Sequence, residues 1–343
     1  MNRRDLLKTE IAHVDITAFD STPIIESYGR MAFQARNLAS AGRIYRRMIA
    51  DRDCSIILCL AGSLFSAGLK AAVRDLVRYD MVDAVVSTGA IVVDQDFFEA
   101  LGFRHYRGTP FIDDELLRKN MIDRIYDTFI DEEELRVCDR TVGMIADSLP
   151  PRPYSSREFI RELGRYLERE KKGEGSLILE CHRKAVPIFV PAFSDCSAGF
   201  GLVEHQHKRG KAAMVTIDSA RDFLELTRVK IEAGETGLVM IGGGVPKNFA
   251  QDIVVAADIL EENPSMHRYA IQITVADERD GALSGSTLKE AHSWGKVDDV
   301  YEQMVYAEAT LALPLLASYV YHGGDWKQRK PKAYADFLEE GGQ

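Results

Sequence analysis

Short apolar runs alternate with longer amphipathic stretches along most of this chain. Cys54–Leu60 is predicted as a strand and Leu64–Tyr79 as a helix, followed by a strand at Asp83–Ser87 and a helix through Phe97 to Leu101. After a charged middle section the alternation resumes. Val186–Pro191 and Ala213–Ile217 read as strands, Ala220–Ile231 as a helix, Gly237–Ile241 as a strand, Asn248–Leu260 as a helix and Tyr269–Thr274 as a strand. This order predicts an α/β fold, a mostly parallel sheet with helices on both faces. The charge-dense segment Asp113–Asp147 is assigned to peripheral helices, and Pro150-Pro-Arg-Pro153 to a turn inside one domain. Residues 1–343 are read as that single domain, with peripheral helices in 105–170 and a basic tail over 324–343 expected as a solvated end.

Composition narrows the function classes. The chain has 343 residues, 46% hydrophobic and 28% charged, enough for a large buried core. A formal charge of −10 weighs against nonspecific nucleic-acid binding, which needs a basic face. The five cysteines (Cys54, Cys59, Cys138, Cys181, Cys196) are scattered and form no CxxC. A disulfide framework or a cysteine-rich zinc site is therefore not expected, and a reducing cytoplasm is. The charged start leads into no apolar stretch, and the longest apolar runs, such as Ser55–Leu60 and Leu238–Ile241, fall far short of a bilayer, so no membrane anchor is expected.

In doubly wound sheets ligands bind outside the carboxyl ends of the strands. Here those ends carry small-residue loops: Ala61-Gly-Ser-Leu-Phe-Ser-Ala-Gly68, Ser87-Thr-Gly-Ala-Ile-Val-Val-Asp94, Pro191-Ala-Phe-Ser-Asp195 and Gly242-Gly-Gly-Val-Pro-Lys247. Small residues let the backbone approach a phosphate, and together the loops suggest a nucleotide or dinucleotide site. No G-x-G-x-x-G fingerprint is present, so an ordinary Rossmann dehydrogenase is not supported. Asp280-Gly281 follows a predicted strand and faces either the same crevice or solvent. His205-Gln-His207 lacks partners at ligand spacing and is read as surface histidines, so no metal is expected.

The densest chemistry lies in Glu290-Ala-His-Ser-Trp-Gly-Lys296. A lysine is a nucleophile only as the neutral amine, which demands a desolvating or charge-crowded site. Trp294 offers an apolar wall, Gly295 room for a close backbone approach, and Glu290 a carboxylate for a cationic substrate. His292, one turn away, is a candidate proton acceptor. The plainer alternative is a surface lysine resting its methylenes on a ring.

The order of motifs resembles deoxyhypusine synthase from about residue 25 to about 320. It is carried by Met31-Ala-Phe-Gln-Ala-Arg36, Ser66-Ala-Gly68, Met81-Val-Asp83, Pro187-Ile-Phe with Ser194-Asp195, and the glycines 242–244. Asp280-Gly281 with Ser284-Gly285 and, above all, Glu290-Ala-x-Ser-Trp-Gly-Lys296 complete the set. The resemblance implies a homotetramer of Rossmann-like subunits with NAD sites at subunit interfaces. It implies oxidation of spermidine by NAD, release of diaminopropane, an aminobutyl group held as an imine on Lys296, and its transfer to an acceptor amine. It further implies cofactor contacts from Ser63, Ser66, Thr88, Gly89, Asp94, Asp195, Gly242, Gly243, Gly244, Asp280 and Glu308. Substrate contacts fall to Glu290 and Trp294, and to Gly281 and Ser284 beside them.

The chain departs from the eukaryotic members at Phe200 and Leu283, where they carry carboxylates, and at Asn248 and Asp252, where they carry a histidine and an asparagine. A hydrated ammonium wants a carboxylate, whereas a guanidinium is flatter and stacks on aromatic rings. The expected substrates are therefore polyamine-like or agmatine-like small amines, giving a homospermidine-type or agmatine-derived product. The alternatives are a true deoxyhypusine synthase acting on a translation-factor lysine and a non-catalytic polyamine-binding scaffold.

Overall fold

The computed structural model describes residues 3–279 and 287–341. Its strands, in chain order, are β1 (Ser55–Leu60), β2 (Ala84–Ser87), β3 (Tyr106–Arg107), β4 (Ile122–Ile125), β5 (Thr128–Asp131), β6 (Pro153–Tyr154), β7 (Ile188–Phe189), β8 (Thr216–Ile217), β9 (Thr236–Ile241), β10 (Tyr269–Thr274) and β11 (Glu302–Tyr306). Six of them form a parallel sheet in the order β11-β10-β9-β1-β2-β7. The chain proceeds outward from β1 through β2 to β7, then returns to β1's other side and proceeds through β9, β10 and β11. The topological switch thus lies between β1 and β9, the place where such sheets open a crevice.

The alternation of strand side chains sorts the core into two layers. Ile57, Cys59, Val86, Leu238, Met240 and Ala270 point into one, beneath the helices Ser219–Ala233, Gly244–Ile259 and Leu288–Ser293. Ile56, Leu58, Leu60, Val85, Val239, Ile271 and Val305 point into the other, against Phe33–Ala50, Lys70–Arg78 and Ala309–Gly323. The predicted α/β architecture, a mostly parallel sheet covered on both faces, is the observed one.

Several local expectations change. The helix predicted from Leu64 begins only at Lys70, because Gly62 and Gly68 take φ of +98° and +97° and turn the segment first. Val186–Pro191 pairs only over Ile188–Phe189. Ala213–Ile217 contributes only β8, which leaves the main sheet and pairs with β6. The supposed peripheral helices around Asp113–Asp147 include strands: β3, β5 and β4 form an antiparallel sheet whose last two members are joined through Tyr126 and Asp127. The acidic run after β5 belongs to a helix start. Asp131 accepts from the Glu133 and Glu134 amides at 3.0 and 3.2 Å and caps Glu132–Ser148.

The basic tail is not a solvated end. Trp326 packs on Tyr79 and Tyr321 with ring centroids 4.7 and 5.6 Å apart. Arg329, its side chain 3% exposed, pairs with the equally buried Asp83 at 2.5 Å. Asp83 also accepts from the Ile56 amide at 2.7 Å, tying the tail to the middle of the sheet. A buried carboxylate needs such a partner. Among the described residues no helix is long and apolar enough to cross a membrane.

Candidate functional site

A cavity of about 1100 Å³ opens at the carboxyl ends of β1, β9, β10 and β11. It lies just above the ~300–1,000 Å³ range of small-molecule sites. Ser63, Ser66, Gly242, Gly243, Gly244 and Glu308 all line it, so six of the expected cofactor residues share one space. The Ser66 hydroxyl donates to the Ser63 carbonyl at 3.0 Å, and the amides of Phe65 and Ser66 both donate to Gln95 Oε1. Gly242 has φ +80°, and a Cβ there would lie 2.9 Å from the Ala61 carbonyl oxygen. A side chain would therefore push apart the two loops that floor the cavity. Gly244 opens the 16-residue helix Gly244–Ile259 and itself lines the cavity, so the helix N-terminus faces the same space. Glu308 accepts from the Thr310 and Leu311 amides and caps Ala309–Gly323.

Thr88, Gly89, Asp94, Asp195 and Phe200 do not line this cavity. They follow β2 and β7, farther along the sheet. Ala90–Phe97 is a π-helix, a rare winding that often marks functional segments. It sends three successive polar residues to separate partners. Asp94 accepts from the Ser197 amide at 2.7 Å, Gln95 holds the β1 loop, and Asp96 accepts from the amides of Leu177 and Ile178. Burial pushes the Asp94 carboxyl up to about 7 against the opposing Ser197 hydrogen bonds. Gly89 leaves no room for a side chain, since a Cβ would come 2.4 Å from Cys196 Sγ. Phe200 stands 69% exposed on the helix Ser197–Arg209, and Asp195 is exposed beside it.

The lysine forms a third group, on the helix-covered face behind the glycine loop. Thr287 and Glu290 close a capping box around Leu288–Ser293, and Lys296 follows two residues after Trp294. Lys296 Nζ lies 5.2 Å from the centroid of the Trp294 ring and 2.5 Å from Asp252 Oδ1. Asn248 and Asp252 share one face of Gly244–Ile259, spaced i, i+4. At 1.5 Å per residue, Asp252 stands ~12 Å along that helix from the glycine that lines the cavity.

Other expectations change here. Trp294 is 68% exposed in this chain and does not enclose the lysine. Glu290 spends its carboxylate on the Thr287 amide. Asp252, expected among the substrate contacts, is paired with Lys296. His292 Nδ1 bonds to the Val297 carbonyl at 2.9 Å and does not face Lys296 as an acceptor. His205 is buried, bonding Asp147 at 2.7 Å while accepting from the Val215 amide; it is a structural histidine. Asp280, Gly281, Leu283 and Ser284 lie outside the described residues.

Sequence reasoning assigned no role to Lys247, although the Gly242-Gly-Gly-Val-Pro-Lys247 run displays it. Its side chain is 1% exposed, and burial lowers its amine to about 8, with the Glu290 charge raising it and the Lys296 charge lowering it further. Arg107, Tyr126 and Asp127 also line the cavity, from the small antiparallel sheet, and no motif announces them. All five cysteines are buried and free; burial pushes the Cys196 thiol up to about 12, which removes it as a thiolate nucleophile. Among the described residues no group of three or more histidines, cysteines or carboxylates is arranged to hold a metal.

A family model for deoxyhypusine synthase matches residues 23–320. The chain is 59% identical over 340 residues to the deoxyhypusine synthase-like protein of Chlorobaculum tepidum, covering 99% of this chain and 97% of that one. It is 60% identical over 338 residues to the protein of the same description from Coxiella burnetii, covering 98% and 96%. The probable deoxyhypusine synthase 2 of Methanosarcina mazei is 38% identical over 318 residues, covering 92% and 91%. In fold, the chain is similar to a crystal structure from Entamoeba histolytica described as a deoxyhypusine synthase, with a TM-score of 0.59 at 19% identity over 91% of this chain and 97% of that one. The chain belongs to the deoxyhypusine synthase family.

Proposed function

We propose that the protein is an NAD-dependent transferase of polyamine metabolism, in which Lys296 carries an aminobutyl or guanidinobutyl group as an imine and passes it to a small amine. The observation that carries this reading is the lysine's setting. The chain keeps the family's Glu290-Ala-x-Ser-Trp-Gly-Lys296 run, and the amine sits between an indole ring and a carboxylate. Family membership supports NAD, and the cavity fits it: small residues floor it, and a helix N-terminus faces it. Gly242–Gly244 and Ser63 would hold the phosphates, and Glu308 a ribose hydroxyl. When bound, NAD supplies a hydride acceptor for the carbon beside the donor nitrogen.

Thr88, Gly89, Asp94, Asp195 and Phe200 form a second group apart from the cavity, which supports a homotetramer whose sites are completed between subunits. An aromatic at 200 favours a guanidinium-bearing substrate such as agmatine, because rings accept that flat, weakly hydrated cation. The 38% identity to the probable deoxyhypusine synthase of Methanosarcina mazei favours a second reading, transfer of the aminobutyl group to a protein lysine.

The test is incubation with NAD and agmatine, putrescine or spermidine, read by mass spectrometry, beside a Lys296→Ala variant. A new secondary amine from agmatine or putrescine, absent in the variant, is expected. Diaminopropane from spermidine with no product from the other two would favour the protein-directed reading. Full transfer by Lys296→Ala would overturn the mechanism.

A further inference from the structure

Resting on that reading, we propose that Asp252 is the proton carrier of the carrier lysine: it takes a proton from the Lys296 ammonium before attack and delivers it to the departing amine. Nζ is held by two groups that both favour a cation, the Asp252 carboxylate at 2.5 Å and the face of the Trp294 ring. A lysine held this way is not yet a nucleophile. Its proton must leave, and a base in contact with it must receive it.

The surroundings leave one candidate among the described residues. From its own helix Asp252 is joined by Lys247, a cation that receives no proton from an ammonium while charged. From the neighbouring helix, Glu290 is engaged with the Thr287 amide, and His292 has Nδ1 on the Val297 carbonyl and Nε2 4.0 Å from Asp299. His267, which donates its backbone amide to the Lys296 carbonyl at 2.9 Å, turns its ring to Thr236 and the Ala250 carbonyl. Asp252 is 40% exposed and Lys296 19%, so a small amine can reach both.

The exchange balances. The donor, once oxidised, is an iminium, R–CH=NH⁺–R′. Lys296 gives one proton to Asp252, and the neutral Nζ bonds to the iminium carbon while the C=N π pair returns to the donor nitrogen. A second proton passes from Nζ to that nitrogen through the same carboxylate. The C–N bond then breaks with its pair on R′NH₂, and Asp252 returns the remaining proton to it. The products are the iminium R–CH=NH⁺ on Lys296 and R′NH₃⁺, with four N–H bonds before and after.

The test needs neither NAD nor the true donor, so it separates this inference from the failure of the proposed reaction. Butanal and cyanoborohydride are added to the full-length protein, and butylation of the Lys296 peptide is timed by mass spectrometry. Asp252→Ala should slow it at least tenfold, formate should restore much of that rate, and chloride, which pairs with a cation but takes no proton, should not. Asp252→Asn, whose amide fills the gap, should be slow and resist rescue; an unchanged melting curve shows that it is folded. Labelling of Asp252→Ala at the native rate, or equal rescue by chloride, would overturn the proposal. If Lys296 labels as expected while no amine is ever transferred with NAD, the reaction falls and the proton carrier stands.

Discussion

Asp94 shows how one residue in this site can oppose the stability of the fold. Its carboxyl is raised from an ordinary 3.8 to about 7, first by burial, with the Ser197 hydrogen bonds working against that shift. The folded protein therefore holds this proton more tightly than the unfolded chain. The cost of ionising it is absent below about pH 4, grows through the interval up to 7 and is complete above that. Asp94→Asn keeps an oxygen for the Ser197 amide and never ionises. It should raise stability at pH 8 by on the order of 2 kcal/mol and by nothing at pH 4, measured as urea midpoints at both values. A gain equal at the two pH values would show that the charge is not the cause. A carboxylate kept at such a cost beside the candidate substrate residues is what a site needing its charge would retain. The resemblance marks Asp94 as a cofactor contact, but nothing in the sequence displays its burial, which comes only when the π-helix turns it inward.

At the scale of elements, close approach matters more than pattern. The helices Glu132–Ser148 and Ser197–Arg209 meet at Gly143 and Gly201, where a Cβ on Gly201 would lie 2.5 Å from the Asp139 carbonyl oxygen. Gly201→Ala should cost about 1–3 kcal/mol, because a methyl must be forced between two backbones. Thermal melting checks the loss, and an unchanged melting temperature would mean that the helices separate freely. Strands β1, β2, β9 and β10 were legible because their every residue is buried, which the sequence writes as mostly apolar runs, interrupted inside β10 by Gln272. Strand β11 was not, since at the sheet's edge only Val305 of its five residues is fully buried. Leu64, Phe65 and Leu69 look like a helix's apolar face but are buried in turns, so the helix was started too early. The small antiparallel sheet hid among charges that serve to cap the next helix. Of the candidate site, the loops were legible through their small residues. Their division among three groups was not, because it depends on strand order rather than on spacing.

For the whole molecule, the tail is part of the core. Arg329 removed as Arg329→Ala would leave Asp83 buried and unpaired, and a loss of about 3–5 kcal/mol is expected. A chemical-denaturation curve reads it directly, and a wild-type midpoint would show that the tail is ornamental. Arg329 is 246 residues from Asp83 in sequence, and its guanidinium also donates to the Met48 and Cys54 carbonyls. During synthesis, at ~5–20 residues per second, Asp83 therefore waits more than ten seconds for its partner. Until then the carboxylate in the middle of the sheet has the Ile56 amide but no cation to answer it, so the nascent chain completes its centre only once the tail has emerged.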